Sequence, residues 1–297
     1  MHADEVDIDS SLVARLLAGQ FPRWADLTLS LVPSAGTDNA IYRLDDALAV
    51  RLPRVASATE RVDTEFVWLP RLAPHLPLAI PLPLALGRPG EGYPWSWSVC
   101  RWLAGESAQS QRPADLGQAA RDLADFIAAL QRLDVVSWPP PGPSDSPRGG
   151  PLCTRDAPTR ATIAELPGRL ATGAVTAAWE AALQEPAWHG PPVWTHRDLL
   201  PGNLLVHGGR ISAVIDFGCL GVGDPSCDLI AARALLSAQT RNIFRAALAV
   251  DEATWGRGRA LSIGLIALPY YQHTNPVFTA TARRMIAEVL ADHERPP

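Results

Sequence analysis

Short stretches with alternating apolar and polar residues fill the first hundred positions, together with two longer stretches of helical spacing. In residues 9–20, Leu12, Val13, Leu16 and Leu17 fall on one helical face, with Asp9 or Ser10 as the cap. The other predicted elements are a strand at 27–32, strands in IYRL and ALAVRL joined at Asp45-Asp46, a helix at 57–73 capped by Ser57 or Thr59, and two strands within 81–107. Strands therefore predominate in this part of the chain.

Helical spacing dominates the rest of the chain. The clearest helix covers residues 113–134, where apolar side chains recur every three or four positions. Further helices are predicted at 159–171, 174–184, 240–249, 251–267 and 276–292, and one more begins near Pro225-Ser226. Two β-forming segments, LLV after Asn203 and ISAVI before Asp216, meet at Gly208-Gly209 and predict a hairpin. The Pro/Gly/Ser-rich segment 138–151 is predicted to be a loop.

Composition and charge exclude several classes of protein. The chain has 297 residues, 47% of them hydrophobic, and its net charge of -5 gives no basic footprint for nucleic acid. No apolar run reaches the ~18–20 residues that a membrane span needs, and residues 1–11 lack the basic and apolar regions of a signal peptide. The four cysteines form no C-x-x-C pair and are predicted to be buried, reduced thiols. A cytoplasmic location is expected.

The basic residues are unusual, because all 26 are arginine and the chain contains no lysine. Schiff-base chemistry on a lysine is therefore excluded, and so is the G-x-x-x-x-G-K-[ST] phosphate loop. The sequence also lacks G-x-S-x-G, H-E-x-x-H and a complete G-x-G-x-x-G. Three histidines, His189, His196 and His207, are not spaced for one helix face, so zinc is not expected.

The segment from Trp194 to Asp228 carries the candidate chemistry. It contains His196-Arg197-Asp198, then Asn203, and then Asp216-Phe217-Gly218 directly after an apolar run. The predicted hairpin brings Asp198, Asn203 and Asp216 to one end of a small sheet. Asn203 and Asp216 offer the hard oxygen ligands that Mg²⁺ prefers, and Asp198 is suited to accept a proton from an attacking hydroxyl. Each tripeptide alone is more often an ordinary turn, but the ordered set indicates phosphoryl transfer.

The motifs HRDLLPGNLLV, AVIDFG and GDPSCDL resemble the aminoglycoside phosphotransferase family, small-molecule kinases with a protein-kinase-like fold. The resemblance spans most of the chain and weakens toward both ends. It implies an α+β, two-lobed fold, with a nucleotide-binding lobe at residues 1–102 and a mainly helical catalytic and substrate-binding lobe at 103–297. It also implies ATP or GTP as co-substrate, Mg²⁺ as cofactor and a small-molecule acceptor as partner.

The same resemblance assigns nucleotide-binding residues in the first lobe. Arg51 stands where relatives usually have a lysine that grips the phosphates, and macrolide phosphotransferases show a similar L-R-I-P-R segment. Arginine is not a conservative replacement, and the alternative is that Arg51 is a surface strand residue. Glu65 is favoured over Glu60 as its partner. Ser34 and Thr37 lie in a glycine-poor loop, which could also be an ordinary hairpin turn, and are expected to contact the nucleotide phosphates. The backbone of Arg101, Trp102 and Leu103 is expected to form hydrogen bonds with adenine.

Other residues are expected to support the catalytic loop or to bind the acceptor. By resemblance, Asp228 stabilises the loop backbone, and His196 is expected to hold the loop by packing and hydrogen bonds. Asp224 reads as a turn or cap residue. Trp255, Tyr270, Tyr271 and His273 are candidates for the floor of an acceptor pocket, although a core or capping role is the ordinary explanation for each.

The predicted activity is transfer of the γ-phosphate of ATP or GTP to a hydroxyl of a small molecule, foremost an antibiotic such as an aminoglycoside or a macrolide. One alternative is a kinase of a metabolite of the choline, homoserine or sugar type. The other is a nucleotide-binding protein of the same fold without catalysis. Arg51 and the glycine-poor loop favour this last alternative, whereas the intact Asp198, Asn203 and Asp216 argue against it.

Overall fold

The computed structural model describes residues 6–33, 38–135, 149–165, 171–258 and 260–294. The chain divides into two compact units. One comprises residues up to Gly105 together with Ala213–Gly218, and the other comprises Glu106–Ser212 together with Cys219 onward. The segment 213–218 groups with the first unit, whereas the predicted lobes were continuous in sequence. Within the described ranges, no helix is both long and apolar enough to cross a membrane.

The first unit is an antiparallel sheet with two helices. Its elements are α1 (Ser10–Gln20), β1 (Leu29–Leu31), β2 (Asn39–Leu44), β3 (Leu48–Pro53), α2 (Thr59–Leu72), β4 (Pro83–Gly87) and β5 (Trp97–Arg101). The strand order is β1-β2-β3-β5-β4. The turn at Asp45-Asp46 is confirmed, and Asp45 takes a left-handed backbone conformation there, with φ 47°. The buried face of α1 packs with Tyr42, Trp97 and Val99 in the core of this unit.

The helix starts follow local capping chemistry, and one of them differs from the prediction. Asp9 caps α1 by accepting a hydrogen bond from the Leu12 N–H at 2.7 Å, as predicted. The predicted cap of α2 is wrong, because its N-cap is Ala58 and makes no side-chain hydrogen bond. A 3-10 turn, Ala56–Ala58, precedes this helix, and the Thr59 hydroxyl donates back to the Ala56 carbonyl. Backbone bonds of the turn thus replace a side-chain cap.

The second unit is mainly helical. Its elements are β6 (Glu106–Ser107), α3 (Leu116–Gln131), α4 (Asp156–Glu165), α5 (Thr172–Gln184), β7 (Val193–Thr195), β8 (Leu204–His207), β9 (Arg210–Val214, whose last two residues lie in the first unit), β10 (Gly221–Gly223), α6 (Ile230–Ala234), α7 (Ala238–Leu248), α8 (Glu252–Gly256), α9 (Ala260–Tyr271) and α10 (Pro276–His293). The strands form a sheet in the order β6-β8-β9 and a pair, β10-β7. The predicted α+β fold class is confirmed. Most of the predicted loop at 138–151 lies outside the described residues.

The predicted single helix at 251–267 is wrong, because two helices, α8 and α9, occupy this region. Arg257 follows α8 and turns its guanidinium to Asp224, with 3.1 Å between Nε and Oδ2, and to the Pro186 carbonyl at 2.6 Å. Gly256 and Gly258 flank it and lower the helix propensity. Asp224 also caps the 3-10 turn Pro225–Leu229 that precedes α6, by accepting from the Ser226 N–H. The predicted cap role of Asp224 is thereby confirmed.

The cysteines follow the prediction only in part. Cys100 and Cys227 are buried, but Cys219 is half-buried and Cys153 is exposed. All four are free thiols. Burial of Cys153 was therefore wrongly predicted. This residue lies on a short turn, Leu152–Arg155, in which Leu152 and Arg155 are the buried side chains.

Candidate active site

The segment from His196 to Asn203 forms a tight loop between β7 and β8. The Asn203 amide nitrogen Nδ2 donates to the Asp198 carbonyl at 2.9 Å and to Asp198 Oδ2 at 3.0 Å. Backbone bonds from Leu200 N–H to the Asp198 carbonyl and from Asn203 N–H to the Leu200 carbonyl, 2.7 and 2.9 Å, close the turn. Asp198 and Asn203 are both half-buried. The structure thus brings together the predicted catalytic carboxylate and one predicted Mg²⁺ ligand.

Asp228 is fully buried and accepts from two consecutive backbone N–H groups of this loop. Its Oδ2 accepts from His196 N–H at 2.9 Å and its Oδ1 from Arg197 N–H at 2.6 Å. Burial raises the pKa of Asp228, while His196, Arg197 and these hydrogen bonds oppose the rise. His196 is also fully buried, and its Nδ1 accepts from the Asp198 N–H at 3.2 Å. This geometry is what loop support by Asp228 and His196 requires.

Arg197 is a structural residue that the sequence did not single out. Its side chain is only 1% exposed, and its backbone is left-handed, with φ 69°. The guanidinium donates to Thr195 Oγ1 at 3.0 Å and to the Val222 carbonyl at 2.6 Å. A Cβ on Gly149 or Gly221 would lie 2.2 or 2.8 Å from the guanidinium carbon. Glycines at these positions are the signal in the sequence, because they leave room for a buried guanidinium.

In the first unit, Arg51 on β3 pairs with Glu65 on α2, with 2.5 Å between Nη1 and Oε2. Both side chains are largely buried, at 13% and 8% exposure, so Arg51 is not a surface strand residue. Although burial alone would lower the pKa of Arg51, the carboxylates of Glu65 and Asp216 raise it. Burial, together with the charge of Asp216, raises the pKa of Glu65 against the effect of Arg51. Of the two predicted partners, the structure selects Glu65.

Asp216 lies close enough to this pair to affect both pKa values. Its backbone is left-handed, with φ 62°, while the neighbouring Phe217 is buried. Arg61, one turn before Glu65 on α2, pairs with Asp38, and a Cβ on Gly218 would lie 2.8 Å from the Arg61 side chain. The sequence interpretation missed Arg61, although its spacing of four residues from Glu65 places both on one helix face.

The donor chemistry of Asn203 and Asp216 fits a magnesium ion. Asn203 uses its amide nitrogen on Asp198, which leaves the carbonyl oxygen as the ligand atom. Within the described residues, the Asp216 carboxylate accepts one long hydrogen bond, 3.4 Å from the Gly218 N–H. A carboxylate held this weakly retains oxygen lone pairs for a cation, and Mg²⁺ prefers such oxygens. Each residue by itself thus offers the oxygen chemistry of a magnesium ligand, and their shared role stays a prediction.

The predicted adenine-binding segment follows β5. The N–H of Arg101 donates to the Leu82 carbonyl and that of Trp102 to the Ala47 carbonyl, both at 2.8 Å. The Trp102 ring also stacks with Arg43, 5.1 Å from the guanidinium carbon to the ring centre. Of the three predicted residues, Leu103 is therefore the one whose N–H we expect to face adenine. Ser34 and Thr37, the predicted phosphate contacts, lie outside the described residues.

The four predicted acceptor residues lie in two environments within the second unit. Trp255 stacks with Arg233 and Arg245, at 4.6 and 5.5 Å from the ring centre. Tyr271 packs edge-on to Tyr270 and against Phe278, and His273 is exposed in the turn that follows α9. Asn275 caps α10 by accepting from the Phe278 N–H. The acceptor role of Trp255, Tyr270, Tyr271 and His273 stays a prediction.

Comparisons with known proteins identify the family and the fold. The model of a family described as the phosphotransferase enzyme family matches residues 31–261, more than half of the chain. No curated protein sequence matches the chain.

Solved structures share the fold at low sequence identity. The GDP complex of wild-type aminoglycoside 2'-phosphotransferase-IIIa is 16% identical, with a TM-score of 0.74 over 96% of this chain and 100% of that one. The macrolide 2'-phosphotransferase from Brachybacterium faecium is 23% identical, with a TM-score of 0.60 over 97% and 99%. The streptomycin–ATP–APH(2")-IIa ternary complex is 16% identical, with a TM-score of 0.62 over 91% and 93%.

The structure thus contains two sets of residues that the sequence predicts, a loop with Asp198 and Asn203 and a buried Arg51–Glu65 pair beside Asp216. The fold is the kinase-like one of small-molecule phosphotransferases, and the family match covers both sets of residues. The chain belongs to the phosphotransferase enzyme family, whose members transfer phosphate to hydroxyl groups.

Proposed function

We propose that this enzyme transfers the γ-phosphate of ATP or GTP to a hydroxyl group of a small molecule. Asp198 accepts the proton of the attacking hydroxyl, and Asn203 and Asp216 supply oxygen ligands to Mg²⁺. Arg51, held by Glu65, positions the nucleotide phosphates. Structures of similar proteins with GDP and with ATP support a nucleotide co-substrate.

The observation that carries this proposal is the buried pair of Arg51 and Glu65. A phosphate-binding site needs such a pair whether or not transfer follows, so the pair supports the nucleotide part of the proposal. Binding without transfer does not need the Asp198 carboxylate, which Asn203 orients, and this contact supports the catalytic part. Burying the two charges costs desolvation, which their mutual attraction repays only when the geometry is good. Arginine also stays charged when it is buried and offers a planar fork to phosphate oxygens. Replacement of the usual lysine is therefore compatible with an active enzyme.

The proposed chemistry balances without a further reactant. The acceptor oxygen forms a bond to the γ-phosphorus while the bond from phosphorus to the bridging oxygen breaks, and nucleoside diphosphate leaves. The hydroxyl proton passes to the Asp198 carboxylate, which Asn203 orients through Nδ2. When Mg²⁺ is bound, it neutralises negative charge on the phosphate oxygens. Phosphoryl transfer needs mainly positioning and electrostatic stabilisation, and these few groups supply both.

The acceptor is a separate part of the proposal. Aminoglycosides and macrolides are the first acceptors to test, because proteins of similar structure are named for them. A role in antibiotic resistance would follow from activity on either. Hydroxylated metabolites are the second candidate, and a cavity of the second unit, described below, favours them.

The test compares wild type with Asp198→Asn, which keeps the shape of the side chain and removes its basicity. We expect kcat to fall by about 10²–10⁴-fold, while Mg²⁺-dependent thermal stabilisation by ATP or GTP persists. Asp125→Asn, an exposed position on α3, is the matched control and should retain full turnover. Undiminished turnover in Asp198→Asn would show that another group is the base. If neither nucleotide stabilises the wild-type protein, the nucleotide part of the proposal is wrong.

A further inference from the structure

A cavity in the second unit lies beside the loop that carries Asp198. Its volume is about 230 Å³. Its lining includes Gln109, Arg112, Pro201, Leu235, Thr281 and Arg284. These residues come from four separate parts of the chain, so no local sequence pattern predicts the cavity. Its volume is below the roughly 300 Å³ at which pockets for drug-sized ligands begin, which suits a small metabolite better than a macrolide.

Two guanidinium groups converge on one wall of this cavity. Arg112 Nη2 and Arg284 Nη2 both donate to the Leu235 carbonyl, at 3.1 and 3.3 Å, just beyond the end of α6. Arg284 also donates to the carbonyls of Ala234 and Leu236, at 3.1 and 2.7 Å. Burial lowers the pKa of Arg284; the carboxylate of Glu288 opposes this shift, and the charge of Arg112 adds to it. The two cations therefore repel each other beside an open volume.

Negative charge on the protein side balances these two cations only in part. None of the described residues that line the cavity is acidic. Glu288 approaches Arg284 at 3.5 Å, but its carboxylate is shared with the buried Arg241, at 2.5 Å. A bound anion between Arg112 and Arg284 would relieve their repulsion, and each retains N–H groups beyond those that the carbonyls use.

The other two polar side chains of the lining, Gln109 and Thr281, can also donate hydrogen bonds. Thr281 Oγ1 lies 2.8 Å from Gln109 Oε1 and 3.3 Å from the Val277 carbonyl; when it donates to Gln109, the amide N–H₂ of Gln109 remains as a donor. A lining of cations and N–H donors complements a ligand with acceptor oxygens and negative charge, such as a carboxylate or a phosphate. A polycationic aminoglycoside has the opposite character, since its ammonium groups would face two guanidinium groups.

The cavity adjoins the proposed catalytic loop through Pro201. This residue lies between Asp198 and Asn203, and its carbonyl accepts a hydrogen bond from Ser107 Oγ at 3.4 Å. The backbone bonds that close the turn around Leu200 fix Pro201 relative to Asp198. We propose that this cavity binds the anionic group of the acceptor, so that the acceptor is a small hydroxylated molecule carrying a carboxylate or a phosphate. This inference rests on the proposed function.

Binding can be measured without turnover by ¹⁵N NMR of the arginine Nε–H groups in the full chain. Inorganic phosphate and glycolate are titrated separately to about 10 mM, which detects weak binding of small ligands. We expect a saturable shift of an Nε–H signal that is absent from Arg112→Gln and present in Arg121→Gln, an exposed arginine on α3. A response to one probe alone identifies the anion class. No saturable shift with either probe overturns the proposal.

Kinetics then separate this inference from the proposed function. Release of nucleoside diphosphate is followed with matched acceptors, namely hydroxy acids and their amides, sugar phosphates and their parent sugars, and aminoglycosides. We expect anionic acceptors to be preferred, and Arg112→Gln to raise their KM by about tenfold or more relative to the neutral partners, with partial recovery in Arg112→Lys. Turnover restricted to neutral or cationic acceptors leaves the proposed function intact and overturns the anion site. Anion binding without turnover of any acceptor supports the anion site and overturns the proposed function.

Discussion

Replacement of Asp228 by asparagine tests how the loop around Asp198 is held. The two carboxylate oxygens of Asp228 accept from two different N–H groups, Oδ2 from His196 and Oδ1 from Arg197. Asparagine has the same shape, but only one of its two terminal atoms is an acceptor. In any rotamer, one loop N–H must therefore face the N–H₂ group of the new side chain.

The size of the effect follows from burial. Asp228 is fully buried, and a buried polar group left without a partner costs about 1–3 kcal/mol. Two such groups arise in the variant, one loop N–H and one N–H of the amide. An opposing contribution comes from the wild type, because burial raises the pKa of Asp228 and its ionised form pays a desolvation cost that the amide avoids. We expect a net loss of about 2–3 kcal/mol from the free energy that protects the loop.

Amide hydrogen exchange of a peptide spanning residues 196–203 measures this loss, because it reports opening of the loop itself. Asp115→Asn is the matched control. Asp115 caps α3 and accepts from the N–H groups of Gly117 and Gln118 through the same oxygen, Oδ1. Asparagine keeps that oxygen, so the control should exchange as wild type does. Unchanged protection in Asp228→Asn would refute the reasoning, because the loop would then be held by other contacts.

Two further substitutions test the roles of Arg51 and Arg197. Arg51→Gln leaves Glu65 without its counter-charge, and we expect a loss of about 3–5 kcal/mol in unfolding free energy. ATP and GTP should also no longer raise the thermal stability of this variant. A variant that ATP or GTP still stabilises fully would contradict the phosphate role. Gly221→Ala places a Cβ 2.8 Å from the guanidinium of Arg197 and should lower the urea midpoint by the equivalent of about 1–3 kcal/mol. Gly202→Ala, where an added Cβ meets nothing within 4 Å, is its control, and equal midpoints for the two alanine variants would rule out the steric argument.

Local pattern predicted those elements whose causes are local. The helix α1 has both its apolar face and its Asp9 cap within 12 residues, and the turn at Asp45 lies between strands with clear alternation. The break between α8 and α9 has a local cause, the glycines at 256 and 258, which the apolar spacing does not register, and a distant one, the contact of Arg257 with Asp224, 33 residues earlier. Helical spacing is judged in windows of about 11–18 residues, which cannot contain both Asp224 and Arg257. The apolar spacing alone therefore predicted a continuous helix.

The candidate site likewise contains features that the sequence predicted and features that it did not. The pairing of Arg51 with Glu65 was predicted because the resemblance supplied the spacing of 14 residues between strand and helix. The burial of Arg197 was not predicted, since an arginine in a polar motif is normally taken as exposed. The cavity with Arg112 and Arg284 also escaped, because these residues lie far apart in sequence and meet only through a helix end.

The absence of lysine connects these observations. In a chain whose 26 basic residues are all arginine, every cationic role must be filled by a group that stays charged when buried and carries five donors in a plane. Such a group is buried at least cost where several acceptors meet it, as the carbonyls near the end of α6 meet Arg284. Donors that remain on Arg112 and Arg284 then face the cavity, and Glu288, which Arg284 shares with Arg241, offsets only part of their charge. On the proposal of an anion site in this cavity, the acceptor is selected by charge before size, and an enzyme with the fold of aminoglycoside phosphotransferases should then prefer an anionic substrate.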